Sequence, residues 1–110
     1  MRSALLRFFA LLFTFRLGRE TIRIENIDAP ETCDAKCDAE RRLREQAKGR
    51  LRQLLSSGDL VLTLNVQDGR DEDRYGRKLR RVAVGGVDVG ATLVSEGLAR
   101  RWTGKRRPWC

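Results

Sequence analysis

One long amphipathic helix flanked by strand-like segments is the feature that most constrains the fold of this chain. Between residues 38 and 55, apolar side chains recur at spacings of three and four, the period of a helix with one buried face. These positions are Ala39, Leu43, Ala47, Leu51, Leu54 and Leu55. Asp38 is the expected N-cap, and Gly58 is expected to stop the helix. One such helix in 110 residues can cover one modest core, which indicates a single domain.

The segment before this helix alternates apolar and polar residues, which is the period of a half-buried β-strand. We predict two strands, over residues 14–17 and 20–27, that are joined by a glycine turn. In the second strand Ile22 and Ile24 share one face, so Arg23 belongs to the opposite face.

The segment after the helix predicts two further strands and a short helix. Residues 60–66 alternate in the same way, and residues 75–84 are also strand-like. Asp88 can cap a short helix through about Glu96, and Gly97 can end it. This order favours a mainly β protein with helices, of the α+β class. We expect a five-stranded OB-fold barrel with one long amphipathic helix and one or two short C-terminal helices.

The positive charge of the chain favours a polyanionic partner. The formal net charge is +8 and the pI is about 10.4, so nucleic acid and an anionic membrane surface are both candidates. The alternative is a solvated basic surface without a specific partner.

The chain has no histidine, which excludes histidine general bases and histidine metal ligands within it. A metal site would therefore use oxygen ligands, which suit Ca²⁺ or Mg²⁺.

The cysteines Cys33, Cys37 and Cys110 allow one disulfide bond. They make a weak zinc site, because structural zinc takes four ligands. A bond from Cys33 or Cys37 to Cys110 would tether the C-terminal tail. The sequence leaves both pairings open, and we favour Cys37–Cys110. Such a bond implies an oxidising compartment, so a secreted or periplasmic location is favoured over a cytoplasmic one.

Both ends of the chain carry large apolar residues. Residues 1–13 form an apolar segment, and residues 14–110 form the domain. The segment is too short for a membrane span. It is similar to the start of a secretory signal, although no small-residue cleavage site precedes Phe15, and an atypical first strand is the alternative.

Near the C-terminus, Trp102 and Trp109 are expected to plug the open end of the barrel, with stacking on nucleobases as the alternative.

Two charged motifs lie next to the predicted strands. IRIENIDAPET places Asp28 and Glu31 at a turn after a strand, and DRYGR, at residues 73–77, precedes another strand. With the long helix between them and VSEGLA near the C-terminus, these motifs resemble the staphylococcal-nuclease-like (thermonuclease) family over about residues 14–110. The resemblance implies an OB-fold domain that performs Ca²⁺-dependent hydrolysis of phosphodiester bonds in DNA and RNA. We expect a single-stranded or frayed substrate and a monomeric protein.

The resemblance also implies roles for individual residues. Arg23 and Arg77 match the pair that clamps the scissile phosphate, and guanidinium groups suit both phosphate oxygens and the charge that develops in the transition state. Asp28 matches a Ca²⁺ ligand, and the carbonyl of Ala29 matches a second coordinating position. Glu31 matches the residue that positions or deprotonates the attacking water.

Further matches and several alternatives concern the same motifs. Arg74 and Tyr75 match positions near the bound nucleotide, although Tyr75 could instead pack. Asp28 could simply cap its turn, and Arg77 could balance the acidic run that ends at Asp73. In function, the alternatives are a non-catalytic OB-fold nucleic-acid-binding module and a basic protein that binds by charge alone.

The sequence departs from the family pattern at the first strand. The family carries an Asp-Gly-Asp-Thr turn there, whose second Asp is a Ca²⁺ ligand, and alignment on Thr14 puts Phe13 at that position. Because a phenyl ring offers no lone pair to a hard cation, Ca²⁺ binding and activity are expected to be weakened. Two explanations stay open: a variant with weak or absent catalysis, and N-terminal residues that are not the native first strand.

Overall fold

Short strands and two helices make up the described part of the protein. The computed structural model describes residues 6–8, 13–25, 27–30, 37–64, 71–104 and 108–110, with the backbone alone at residues 6–8. The strands are β1 (Leu6–Phe8), β2 (Thr14–Leu17), β3 (Glu20–Ile24), β4 (Ile27–Asp28), β5 (Leu60–Leu64), β6 (Lys78–Val84), β7 (Val87–Asp88) and β8 (Arg100–Arg101). The helices in these ranges are α1 (Asp38–Leu55) and α2 (Val89–Ser95).

The larger sheet has the strand order β1-β2-β3-β6-β5, and β7 pairs with β6. Neighbours are antiparallel except β3 and β6, which run parallel and therefore need a crossover connection, here containing α1. The predicted α+β class is confirmed, and this order fits an OB-type fold. Among the described residues the strands do not close into the expected barrel, because β1 and β5 remain the edges of an open sheet.

The strand predicted over residues 20–27 is interrupted and forms two separate strands. β3 ends at Ile24, and β4 begins at Ile27 and pairs with β8 in a separate antiparallel sheet. The prediction of one continuous strand is therefore wrong. The amide of Glu25 still donates to the carbonyl of Arg80 at 3.1 Å, after which the chain changes its backbone partner. The IDAPE motif consequently starts at the edge of a second, smaller sheet.

The core lies between the larger sheet and the two helices. Ile22 and Ile24 are buried on the face predicted for them, and α1 buries Leu51 and Leu55. Ala39, which was predicted in the same helical stripe, is exposed in the first turn. Other members of the core are Phe13, Phe15, Ile27, Ala47, Val82, Val84, Val89, Leu93 and Ala99.

The N-terminus of α1 is capped by Cys37 and not by Asp38. The Cys37 sulfur accepts a hydrogen bond from the amide of Glu40 at 3.4 Å. Asp38 lies inside the first turn, where a hydrogen bond from Arg41 lowers the pKa of its carboxyl. The outer face of α1 is charged, and none of the helices in the described ranges is long and apolar enough to cross a membrane.

The C-terminal residues are fastened to the body of the domain. A disulfide joins Cys37 to Cys110 across 73 positions, which is the pairing favoured from the sequence. The guanidinium carbon of Arg100 lies 3.8 Å from the centre of the Trp109 ring. Nη1 of Arg100 also donates to the carbonyl of Pro108 at 2.8 Å. These contacts hold the tail against β8 and against the start of α1.

Reduction of the Cys37–Cys110 bond is expected to lower the free energy of unfolding by up to about 4 kcal/mol, since the bond closes a loop over 73 positions. Cys110→Ser should reproduce the loss without reductant. Urea unfolding, followed by circular dichroism with and without a thiol reductant, measures the difference. Cys33→Ser removes one thiol and keeps the bond, so it is the matched control. Equal stability of the oxidised and reduced proteins would contradict this expectation.

Candidate functional site

Arg23 is held at the break between β3 and β4. Its Nη2 donates to the carbonyl of Ile27 at 2.9 Å, and its Nη1 donates to the carbonyl of Ile24. The side chain is half-buried. These two bonds orient the planar guanidinium at the point where the chain enters β4.

Arg77 is held by the carboxylate of Asp73 in the turn formed by DRYGR. Asp73 Oδ1 accepts hydrogen bonds from the amides of Tyr75 at 2.9 Å and Arg77 at 3.0 Å. Asp73 Oδ2 accepts from Nε of Arg77 at 2.6 Å. Gly76 has a φ of 79°, a left-handed conformation that glycine adopts without steric cost. Burial acts to raise the pKa of the Asp73 carboxyl, but the two amides and the Arg77 guanidinium outweigh it and lower that pKa below its ordinary value of 3.8.

The other carboxylates of this loop pair with different cations. Asp71 Oδ1 lies 2.6 Å from Nη2 of Arg80, and Asp71 Oδ2 lies 3.1 Å from Nζ of Lys78. Glu72 Oε2 lies 2.7 Å from the same Nζ. Hydrogen bonds from Arg80 and Lys78 lower the pKa of Asp71. Asp71 and Glu72 therefore form ion pairs with cations of β6, and Asp73 binds Arg77.

Thr14 brings the two arginines to one place. It is buried and is the direct partner of Arg23 across β2 and β3. Its hydroxyl oxygen accepts a hydrogen bond from Nη1 of Arg77 at 3.4 Å. Because directly paired residues of antiparallel strands project to the same face, Arg23 lies on the same face of the sheet as the threonine that Arg77 contacts. No sequence pattern marks this role of Thr14, since its contact with Arg77 joins residues 63 positions apart.

Asp28 lies directly after the carbonyl group to which Arg23 donates. Its side chain is 5% exposed, and Ala29 beside it is half-buried. Glu31, the residue matched to water activation, lies outside the described residues. The structure therefore places Asp28 one residue after the carbonyl bound by Arg23, and the position of Glu31 stays a prediction.

The described residues do not by themselves form a Ca²⁺ site. They contain no group of three or more histidine, cysteine, aspartate or glutamate side chains that could hold a metal ion. Asp28 can contribute one carboxylate and Ala29 one carbonyl oxygen, whereas Ca²⁺ takes about six to eight oxygen ligands.

Arg74 and Tyr75 lie on the surface of the turn beside Arg77. The guanidinium carbons of Arg74 and Arg77 are 5.2 and 5.4 Å from the centre of the Tyr75 ring, within cation–π distance. The ring is 70% exposed, so Tyr75 does not pack into the core. The exposed ring therefore lies at the surface next to Arg77.

Phe13 belongs to the core and not to the site. Its side chain is fully buried, and its carbonyl accepts a hydrogen bond from the amide of Ile24 at 3.0 Å. Its φ of 63° is left-handed, which is uncommon for a residue other than glycine. Its ring packs among apolar side chains, and the match of this position to a cation ligand stays a prediction.

Comparison with known proteins agrees with the motifs and the strand order. The family model described as "Staphylococcal nuclease homologue" matches residues 21–108. The chain belongs to this family. The resemblance inferred from the sequence is thereby confirmed.

Two relatives of this staphylococcal nuclease homologue are named endonucleases. The SPbeta prophage-derived endonuclease YokF of Bacillus subtilis (strain 168) is 39% identical over 87 residues, which cover 79% of this chain and 28% of that protein. Endonuclease YncB of the same organism is 39% identical over 82 residues, which cover 74% of this chain and 37% of that protein. The chain thus spans about a third of the length of these curated relatives.

Asp73→Asn is expected to lower the free energy of unfolding at pH 7 by about 2 kcal/mol, because hydrogen bonds to a charged group are lost. The folded-state pKa of Asp73 lies below 3.8, so its stabilising effect is present above that value and is lost as the pH falls through the folded pKa. The difference from the wild type should therefore shrink as the pH falls below 3.8. Urea unfolding across this range measures it. Asp59→Asn, at an exposed carboxylate, is the control, and a difference that does not vary with pH would count against the assignment.

Phe13→Asp is expected to destabilise the fold by about 4 kcal/mol or more, since it removes a buried ring and buries a carboxylate. It should therefore fail to increase cation binding or hydrolysis. Phe13→Leu, which keeps an apolar side chain, is expected to cost less. Thermal unfolding of the three proteins, followed by Ca²⁺ titration of those that fold, measures both effects. A folded Phe13→Asp protein with tighter Ca²⁺ binding would overturn the placement of Phe13 in the core.

Proposed function

We propose that this chain is a nuclease domain in which Arg23 and Arg77 bind the scissile phosphate of a nucleic acid. The observation that supports the proposal most directly is the hydrogen bond from Arg77 to Thr14, which is the direct cross-strand partner of Arg23. Both guanidinium groups are half-buried, where their charges are screened less by water than on an open surface.

The chemistry of the pair suits phosphodiester hydrolysis. Attack on a phosphodiester adds negative charge to the oxygens of the phosphoryl group, and preorganised guanidinium donors stabilise that charge without reorganising. Asp73 fixes the Nε edge of Arg77, and backbone carbonyl groups fix Arg23. The donors are therefore positioned before the substrate arrives, which lowers the cost of ordering them in the transition state.

The remaining assignments extend this proposal. Glu31 would position or deprotonate the attacking water. We propose that hydrolysis depends on Ca²⁺, to which Asp28 and the carbonyl of Ala29 would contribute oxygen ligands; when bound, the cation supplies additional positive charge at the phosphate. Because Ca²⁺ requires further ligands, we expect its affinity for this site to be weak. Arg74 and Tyr75 would contact the neighbouring nucleotide, and DNA and RNA are both expected substrates.

A non-catalytic nucleic-acid-binding module is the second candidate function. It is favoured by the small number of described oxygen ligands and by the burial of Phe13 in the core. Such a module would keep the arginine pair and bind oligonucleotides in a salt-sensitive manner that does not depend on Ca²⁺.

Arg23→Lys and Arg77→Lys are each expected to slow hydrolysis of a fluorescent single-stranded DNA by about a hundredfold or more, because lysine keeps the charge but loses the planar pair of donors. The assay compares initial rates with Ca²⁺ and with chelator. Arg42→Lys, at an exposed position on α1, leaves the net charge equally unchanged and is the matched control.

The outcomes separate the candidate functions. Ca²⁺-dependent hydrolysis that is lost in both site variants and kept in Arg42→Lys supports the nuclease. Binding without hydrolysis in the wild type would favour the binding module. Equal behaviour of the three lysine variants would favour a protein that binds by charge alone and would remove the assignment of Arg23 and Arg77.

A further inference from the structure

We propose that the Cys37–Cys110 bond is a site of thiol–disulfide exchange that controls the C-terminal tail. A thiol reductant attacks the bond at Cys110 and expels Cys37, after which the tail is released from β8. The release acts on the candidate site through Arg100, and this last step rests on the proposed function for the role of Asp28.

The sulfur of Cys37 lies where a helix stabilises negative charge. It accepts a hydrogen bond from the amide of Glu40 at 3.4 Å, at the N-cap of α1. A helix N-terminus carries partial positive charge, so it stabilises a departing Cys37 thiolate. The neighbouring carboxylate of Asp38 is exposed and pairs with Arg41, and water screens its opposing effect.

The sulfur of Cys110 lies beside a buried carboxyl group. It is 3.9 Å from Oε1 of Glu40, a residue that is only 3% exposed. An ionised carboxylate repels negative charge on a nearby sulfur, so Cys110 is the poorer leaving group. Cys110 is also exposed, whereas Cys37 is half-buried. Access and leaving-group stability therefore both direct the attacking thiolate to Cys110.

The exchange is a two-electron reduction in two steps. The thiolate of the reductant forms a new S–S bond to Cys110, the Cys37–Cys110 bond breaks, and its electron pair leaves on the sulfur of Cys37. A second thiolate of the reductant then attacks the reductant sulfur of this mixed disulfide and expels Cys110. The reductant is oxidised to a disulfide, and the two cysteines take up the two protons that its thiols lost.

The position of Trp109 favours release of the tail once the bond is open. Its indole nitrogen is buried and donates to no acceptor among the described residues. A donor in this state has lost its hydration without gaining a hydrogen bond. The disulfide at the next residue and the contact with Arg100 hold the ring in place against this cost. Trp102 is 47% exposed, so the expectation that both tail tryptophans plug a barrel end is wrong for Trp102.

Arg100 connects the tail to the candidate site. In the oxidised form it contacts the ring of Trp109 and the carbonyl of Pro108. On β8 it is the direct cross-strand partner of Asp28, so the two side chains project to the same face. Release of the tail removes two contacts that restrain Arg100 beside this carboxylate. The oxidised protein is therefore the form with the more ordered site, and we expect it to be the more active one.

The direction of attack is measured in Cys33→Ser, which has no cysteine besides the bonded pair. The protein is exposed briefly to glutathione and quenched with acid, and the free thiol is labelled with N-ethylmaleimide. Peptide mass spectrometry should find glutathione on Cys110 and maleimide on Cys37 in about tenfold excess over the reverse product. Equal amounts of the two products, or an excess of the reverse one, would overturn the proposed direction.

The role of the buried carboxyl group has a matched control. Glu40→Gln removes the charge and keeps nearly the same shape, so it should bring the two products closer to equal amounts. Asp38→Asn removes an exposed charge from the same turn of α1, and there the excess should not fall. An excess that is unchanged in Glu40→Gln would remove Glu40 from the proposal.

Release of the tail is measured by fluorescence in the double variant Cys33→Ser, Trp102→Phe, where Trp109 is the single tryptophan. Dithiothreitol should shift its emission to longer wavelength as the indole meets water, while the far-ultraviolet circular dichroism spectrum is kept. Cys110→Ser in the same background should show the shifted emission without reductant. Unchanged emission would mean that the tail stays in place without the bond. Loss of the circular dichroism spectrum would mean that the whole domain unfolds, and either result would overturn the proposal.

The effect on the site is measured as hydrolysis of the fluorescent DNA by Cys33→Ser before and after reduction. Reduction should lower the initial rate by about fivefold or more, as for other coupled sites. Cys110→Ser should show the lower rate without reductant. An unchanged rate with a released Trp109 would overturn the coupling to the site. Absence of hydrolysis in both states would remove the nuclease proposal, whereas the mass-spectrometric and fluorescence results would still decide the exchange and the release.

Discussion

The break between β3 and β4 is the constraint on which the candidate site depends. If the chain continued straight from Ile24, Asp28 would lie on the larger sheet, and Arg23 could not reach the carbonyl of Ile27. Because the backbone changes partner, two carbonyl groups turn toward the guanidinium and bind it. One local change in pairing thus orients the Arg23 guanidinium and pairs the strand that carries the buried Asp28 with β8.

Much of this architecture could be predicted because it follows from the local periodicity of apolar residues. The helix over residues 38–55 follows from one apolar stripe, and the burial of Ile22 and Ile24 follows from alternation. The break at residue 25 could not be found in the same way, because Ile27 is as apolar as the residues before it. The N-cap was misplaced for a related reason: Asp38 is the better capping residue by propensity, but Cys37 is fixed there by its bond to a distant cysteine.

The residues of the candidate site were selected from motifs in the sequence, whereas their contacts could not be predicted. The motif resemblance selected Arg23, Asp28 and Arg77 from single positions in the sequence. The hydroxyl of Thr14 that accepts from Arg77 belongs to a strand far from Arg77 in the chain, and only the fold shows that contact. The burial of Phe13 could not be predicted, because alignment on Thr14 counts positions along the chain and does not show the left-handed backbone at residue 13.

The disulfide between Cys37 and Cys110 has a consequence for damage to the chain. It closes residues 37–110, which include α1 and β8, into a covalent ring. A single hydrolytic cut anywhere within that ring opens it without releasing a fragment, so α1, β5, β6 and β8 stay at high effective concentration with respect to one another. Arg77 and β8, the strand paired with Asp28, would therefore remain attached to the rest of the site after a proteolytic nick. This holds for as long as the bond stays oxidised.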